Sequence, residues 1–205
     1  MRSFLKNENI ICVILSGGLS SRMKTHKALL KFSEQQNFLQ HIIEVYQKAG
    51  MKKIIVVKNA DIDFTDDGVN NDMVSIVNNY YSEKGRLYSL QLGLNESPNA
   101  DYCFIQNIDN PFVTTELIKN LLTYRSNADY VSPEYNNKGG HPVLISAAII
   151  KKILHLKEYK NTLREELELF SRYKLNIDDE NCILNINLPS DYQKHILSHN
   201  KIQIL

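Results

Sequence analysis

Three cations, Arg22, Lys24 and Lys27, fall within six positions of this 205-residue chain, just after the adjacent glycines Gly17 and Gly18 and the hydroxyls of Ser16, Ser20 and Ser21. Glycine admits backbone conformations closed to other residues and brings the chain close to a ligand, so that successive N–H groups can point at phosphate oxygens. Hydroxyls and cations then add donors and charge. The chemistry this set suits is the binding of a polyphosphate. Two better-known phosphate loops are excluded: the chain has neither G-x-x-x-x-G-K-[ST] nor G-x-G-x-x-G leading into a helix. Here the cations follow on a loop of about ten residues, long enough when extended to fold over a triphosphate. The alternative is a Gly-rich turn with a solvated basic surface.

Other residues suited to chemistry lie downstream. Asp109, in Gln106-Asn107-Ile108-Asp109-Asn110-Pro111, follows an apolar run that reads as a strand. An acidic residue there, across a crevice from a phosphate loop, is where a Mg²⁺ ligand for a nucleotide is expected; its other reading is a turn organised with Pro111. Ser89 falls in the first turn of a helical stretch, as a ligand-facing hydroxyl or an ordinary cap-region serine. His141 follows Gly139-Gly140 and precedes Pro142, which predicts a tight turn entering a strand with its backbone open to a ligand. His195 and His199 are one helical turn apart with no third ligand in view, so a surface pair is expected rather than a zinc site. The Asp-rich stretch 59–73 fails the calcium-loop spacing and reads as a solvated loop.

The elements that must hold these residues follow from apolar patterning. Ile10 to Leu15 reads as a strand buried on both faces, ending at the glycine pair. Phe38, Leu39, Ile42, Ile43 and Tyr46 recur at helical spacing, with Gly50 as the stop. Residues 54–57 then read as a second buried strand, which makes a right-handed crossover and a parallel sheet. Residues 74–77 and 102–105 read as the third and fourth strands, with Asn78-Asn79 as a polar turn and a helix from Arg86 to Leu94 between them. A helix carrying Leu117, Ile118, Leu121 and Leu122 follows. Beyond it come strands ending near Pro133 and entering at Val143, then a Thr162–Glu165 capping box opening a helix with Leu163, Leu167 and Phe170 on one face. A last apolar run spans Cys182–Ile186, before a terminal helix. The pattern predicts an α/β fold: a Rossmann-like three-layer α/β/α sandwich on a mostly parallel central sheet, formed by residues 1–205 as one domain.

A formal net charge of +1 gives no electrostatic case for nucleic acid as a partner. Cys12, Cys103 and Cys182 each lie in an apolar run that reads as a strand, so they are expected to be core residues rather than disulfides or metal ligands. The run at 10–15 is too short to span a membrane and makes a poor signal-peptide core. A reduced, cytoplasmic protein with no membrane partner is expected.

Leu15 to Met23 with Lys27, Asp109-Asn110-Pro111, Gly140-His141-Pro142-Val143-Leu144 and Asn185 to Asp191 together resemble the MobA-like nucleotidyltransferases, which include the enzymes that attach GMP or CMP to molybdopterin. The resemblance covers almost the whole chain, in order. It implies nucleotide binding by Leu15, Ser16, Gly17, Gly18, Ser20, Arg22, Lys27, Asn79 and Ser89, with Ser89 at the base-proximal helix start. It implies metal ligation by Asp109 and Asn187, catalytic roles for Arg22, Lys27 and Asp109, and an acceptor side at Gly140, His141 and Arg164. The implied activity is Mg²⁺-dependent transfer of an NMP from an NTP to a phosphorylated small-molecule acceptor such as molybdopterin, with pyrophosphate released. Gly140 to Leu144 resembles the cytidylyltransferase branch and favours CTP, whereas Asn185-Ile186-Asn187 is closer to the guanylyltransferase branch and GTP. Lys24 departs from the family's usual Gly, and Asn161-Thr162 from the Gly-Asp segment usual in cytidylyltransferases. A sugar-phosphate or phospho-alcohol pyrophosphorylase is an alternative, and a non-catalytic nucleotide-binding domain another.

Overall fold

The computed structural model describes residues 8–18, 23, 25–62 and 72–197. The first apolar run forms β1 (Ile10–Ser16), buried at all of its positions. Its side chains alternate between two cores: Ile10, Cys12 and Ile14 point to one face, Ile11, Val13 and Leu15 to the other, as the two-residue period of a strand requires. Helix α1 (Phe38–Lys48) opens on a capping box in which the Asn37 side chain accepts from the Gln40 amide and the Gln40 side chain accepts from the Asn37 amide. β2 (Ile54–Asn59) pairs in parallel with β1, and β3 (Val74–Asn79) in parallel with β2.

The chain then passes through α2 (Gly85–Asn95) and returns to the other side of β1 as β4 (Tyr102–Asn107), again parallel. Strand order therefore reverses at β1, and the crevice where ligands bind in open α/β sheets lies beyond the carboxyl ends of β1 and β4. The second half adds α3 (Thr115–Thr123), β5 (Tyr130–Tyr135), β6 (Lys138–Gly139), β7 (Val143–Ser146), α4 (Ala147–Leu154), α5 (Leu163–Leu167), β8 (Arg172–Asn176) and α6 (Pro189–Tyr192). The sheet runs β3-β2-β1-β4-β7-β5-β6, with β8 on β5. It is parallel from β3 to β4, while β7 is antiparallel to both β4 and β5.

Helices cover both faces. Phe38, Ile42 and Tyr46 of α1 pack with Ile118 and Leu121 of α3 on one face; Leu90 and Leu94 of α2 pack with Ile149 and Ile153 of α4 on the other. This is the expected three-layer α/β/α sandwich. Close approach of α2 depends on Gly93, where a Cβ would fall 2.6 Å from Val13 Cγ1. Among the described residues no helix is long and apolar enough to cross a membrane.

The expected elements differ from the observed ones in four places. Asn78 and Asn79 finish β3 rather than forming a turn, because both pair with β2. Cys182 sits in a 3-10 turn (Glu180–Ile183), not a strand, and the Asp179 side chain accepts from the Asn181 amide to start that turn. All three cysteines are buried and free. β8 was not expected, since Arg172 and Lys174 interrupt its apolar residues; only Tyr173 and Leu175 reach the core. The Thr162 capping box is present, but α5 ends at Leu167, and Phe170 packs on the same core from beyond the helix.

Candidate active site

A cavity of about 460 Å³ opens at the carboxyl ends of β1 and β4. Leu15, Gly17 and Gly18 enter it from β1 and its loop, Gly85, Arg86 and Ser89 from the start of α2, and Asn107, Ile108 and Asp109 from the end of β4. Lys27 and Asn187 complete the wall. Residues far apart in sequence thus meet where the strand order reverses.

Among the described glycines, positive φ occurs only at Gly50 and Gly85. The expected special backbone conformation at Gly17 and Gly18 is therefore absent. What these two contribute is space: a Cβ on Gly17 would lie 3.4 Å from Ser89 Oγ, and one on Gly18 would meet nothing within 4 Å among the described residues. Ser89 Oγ accepts from Asn79 Nδ2 (2.9 Å) and donates to the Gly85 carbonyl (3.2 Å). Asn79 therefore stands behind Ser89, fully buried. Ser16 is buried at the end of β1. Ser20, Ser21, Arg22 and Lys24 lie outside the described residues, as does His199.

Lys27 begins a short 3-10 helix (Lys27–Leu29), started by the His26 ring accepting from the Ala28 amide. Its ammonium donates to Asn187 Oδ1 at 2.7 Å and lies 3.5 Å from Asp109 Oδ2. The two residues expected to hold a metal are thus joined by the cation expected to hold phosphate. Both are set by backbone bonds. The Asp109 carbonyl accepts from the Ile186 amide at 2.7 Å, and Asn110 Nδ2 donates to the Asn181 and Leu184 carbonyls. Asp191 accepts from the amides of Asn187 (3.0 Å) and Leu188 (2.8 Å), bonds that hold its carboxyl below the usual range. Asp109 Oδ1 is buried with no hydrogen-bond partner among the described residues.

Arg86 and Asn107 form part of the opposite wall, and a relay runs from them to His141, which does not itself line the cavity. Arg86 donates to Asn107 Oδ1, and Asn107 Nδ2 lies 2.9 Å from His141 Nε2. With its oxygen taken by a guanidinium, the Asn107 amide can only donate to His141, so Nε2 accepts and the imidazole proton sits on Nδ1. Burial, and then the Arg86 charge, push the His141 pKa down to about 4. The ring is neutral near pH 7. Arg86 is an exposed residue whose guanidinium lies deep enough in the wall for desolvation to lower its pKa, with Asp109 opposing.

The backbone before His141 is not open to a ligand. A Cβ on Gly140 would fall 2.6 Å from the Cys182 carbonyl oxygen, and the His141 amide donates to that carbonyl at 2.8 Å. The glycine serves packing there. Arg164 is exposed on α5, paired with Glu168 at 3.1 Å, and does not line the cavity. Arg86 and Asn107 were not singled out in the sequence. The signal for Arg86 is its spacing, since it stands three residues before Ser89 on the same helical face.

Residues 12–173 match the family model for the MobA-like NTP transferase domain. The chain is 26% identical over 183 residues to the molybdenum cofactor cytidylyltransferase of Escherichia coli, covering 89% of this chain and 93% of that protein. It is also 26% identical over 168 residues to a probable molybdenum cofactor guanylyltransferase of Clostridium perfringens strain SM101, covering 82% and 80%. A nucleotidyl transferase from Methanothermobacter thermautotroptrophicus superposes with a TM-score of 0.80 at 18% identity, covering 96% of this chain and all of that one. The chain belongs to the MobA-like NTP transferase family and is a nucleotidyltransferase.

Proposed function

We propose that this enzyme transfers a cytidylyl group from CTP to the phosphate of a molybdopterin-type acceptor, with Mg²⁺ as cofactor and pyrophosphate as leaving group. The observation that carries this reading is the meeting of Lys27 with Asp109 and Asn187 in the lining of a cavity that Gly17 and Gly18 also line. A phosphate oxygen of the acceptor attacks the α-phosphorus in line. An acceptor that is already an anion needs no general base, so the protein's work is positioning and charge neutralisation. Loop amides and Lys27 hold the β- and γ-phosphates, joined by Ser20 and Arg22 on the strength of the family resemblance. Ser89, braced by Asn79, faces the nucleoside, and neutral His141 stands on the acceptor side.

Magnesium fits the donor set. Asp109 offers a carboxylate with one buried oxygen that has no partner among the described residues and Asn187 an amide oxygen, both hard donors. Mg²⁺ characteristically takes one or two such ligands and completes its shell with phosphate and water. When bound, the ion would neutralise charge on the α-phosphate and the acceptor phosphate. Lys27 must then release Asn187 and turn toward the triphosphate.

Gly140 to Leu144 and the E. coli cytidylyltransferase relative support CTP. Asn185-Ile186-Asn187 and the guanylyltransferase relatives support GTP as the second reading. Pyrophosphate release from each of the four NTPs, with molybdopterin and with a panel of sugar and alcohol phosphates as acceptors, tests both. CTP with molybdopterin should be the fastest pair; a faster sugar phosphate would make the enzyme a pyrophosphorylase.

A further inference from the structure

Of the cavity's charged residues, Arg86 is the one left without work by the roles above. Its Nη2 bonds the Asn107 amide oxygen, and no carboxylate lies within 4 Å of it among the described residues. A guanidinium carries five N–H donors, so most of its hydrogen-bonding capacity is unspent in a cavity built for anions. Its position is fixed from both sides. It is the second residue of α2, one turn before Ser89, and Asn107 ties it through a 2.9 Å bond to His141. Asp109, the expected metal ligand, is close enough for its charge to be felt at the guanidinium.

The transfer reaction must bring a second anion, the acceptor phosphate, beside the α-phosphate of the first. A bound Mg²⁺ would offset part of the repulsion between the two, and a side-chain cation that the triphosphate does not already occupy would offset more of it. Lys27 is committed to the triphosphate and to the Asp109 side. Arg86 stands on the other side, against His141. We propose that Arg86 is the specificity-determining anchor for the acceptor's phosphate, its free guanidinium edge gripping two phosphate oxygens while Asn107 holds the opposite edge. A planar fork suits a phosphomonoester dianion in a way that a point charge does not. Acceptors therefore need a terminal phosphate, and alcohols without one are rejected. The inference rests on the proposed transfer to a phosphorylated acceptor but not on which base or acceptor is used.

The test compares wild type with Arg86→Gln and Arg86→Lys. Inorganic phosphate, titrated into protein whose triphosphate site is filled with a non-hydrolysable CTP or GTP analogue and followed by ³¹P NMR, should bind roughly ten- to a hundredfold more weakly to the Gln variant, the scale for losing a charged hydrogen bond. The Lys variant should fall between. CTP and GTP affinities, measured by calorimetry on the same proteins, should stay within about twofold, since their phosphates are held elsewhere. In steady state, KM for the acceptor should rise with little change in KM for the nucleotide. Unchanged phosphate binding in Arg86→Gln would overturn the inference, and so would a loss of nucleotide affinity as large as the loss of phosphate affinity. Because the phosphate titration needs no turnover and no organic acceptor, it can succeed or fail independently of the transfer reaction.

Discussion

Lys27 Nζ lies 2.7 Å from Asn187 Oδ1, across 160 positions of sequence, and so places a cation between the two proposed metal ligands. The contact joins Lys27 to the two proposed metal ligands, and the proposed function also gives it the triphosphate. Lys27→Ala should lower both nucleotide affinity and kcat by roughly tenfold or more, because a cation on the departing pyrophosphate acts in ground and transition states alike. Lys24→Ala should do much less. Calorimetry and single-turnover rates on the two variants check the order, and the reverse order would remove Lys27 from the phosphate site.

Asp109 reaches the C-terminal segment through its backbone carbonyl, which accepts from Ile186, so its side chain can be changed without untying the fold. Asp109→Asn should cut pyrophosphate release by roughly a hundredfold or more, the scale for one group stabilising transition-state charge. Thermal unfolding should be nearly unchanged, while Mn²⁺ binding followed by electron paramagnetic resonance should be lost. Turnover close to wild type would falsify the ligand assignment.

His141 and His41 both have pKa values pushed down to about 4, chiefly by burial, against 6.5 for a free imidazole. The unfolded chain therefore takes up protons at a higher pH than the native one, and protonation favours unfolding. Their contribution to stability is flat above about pH 6.5 and is lost as pH falls from 6.5 toward 4. Replacing both by Gln should flatten that part of the decline. Denaturant midpoints at pH 7 and pH 5 measure it, and an equal drop in wild type and variant would mean that the rings are not buried neutral.

Gly140→Ala would drive a methyl into the Cys182 carbonyl, a backbone atom that cannot swing aside. A destabilisation of about 1–3 kcal/mol is expected, as for overpacking in a tight core. Gly139→Ala meets only the end of the Arg172 side chain and should cost less. Chemical denaturation of the two variants distinguishes them, and equal stabilities would contradict the packing role given to Gly140.

The parallel half of the fold was legible because β1, β2 and β4 are buried on both faces and carry uninterrupted apolar runs, while α1 and α3 repeat Leu and Ile at helical spacing. β8 was not, since at the sheet's edge its charges face solvent and only alternate residues touch the core. Within the site, Lys27 and Asp109 could be named from the residues around them, and Asn187 from the family resemblance alone. The Arg86–Asn107–His141 relay could not, because it depends on the junction of α2, β4 and the β6–β7 turn, which no local pattern encodes. Gly140 was misread for the same reason: its neighbour, Cys182, is a tertiary one.

In the proposed reaction Asp109, Asn187 and Lys27 surround the point at which an NMP leaves pyrophosphate for an acceptor phosphate. Purified enzyme, Mg²⁺ and α-³²P-labelled CTP or GTP, incubated with molybdopterin, test it in one measurement of label transferred against pyrophosphate formed. Label from CTP should appear on the acceptor in equal amount to pyrophosphate, more slowly from GTP, and with neither nucleotide in Asp109→Asn. Transfer that persists in Asp109→Asn, or nucleotide that binds without pyrophosphate forming from any phosphorylated acceptor, would contradict the account.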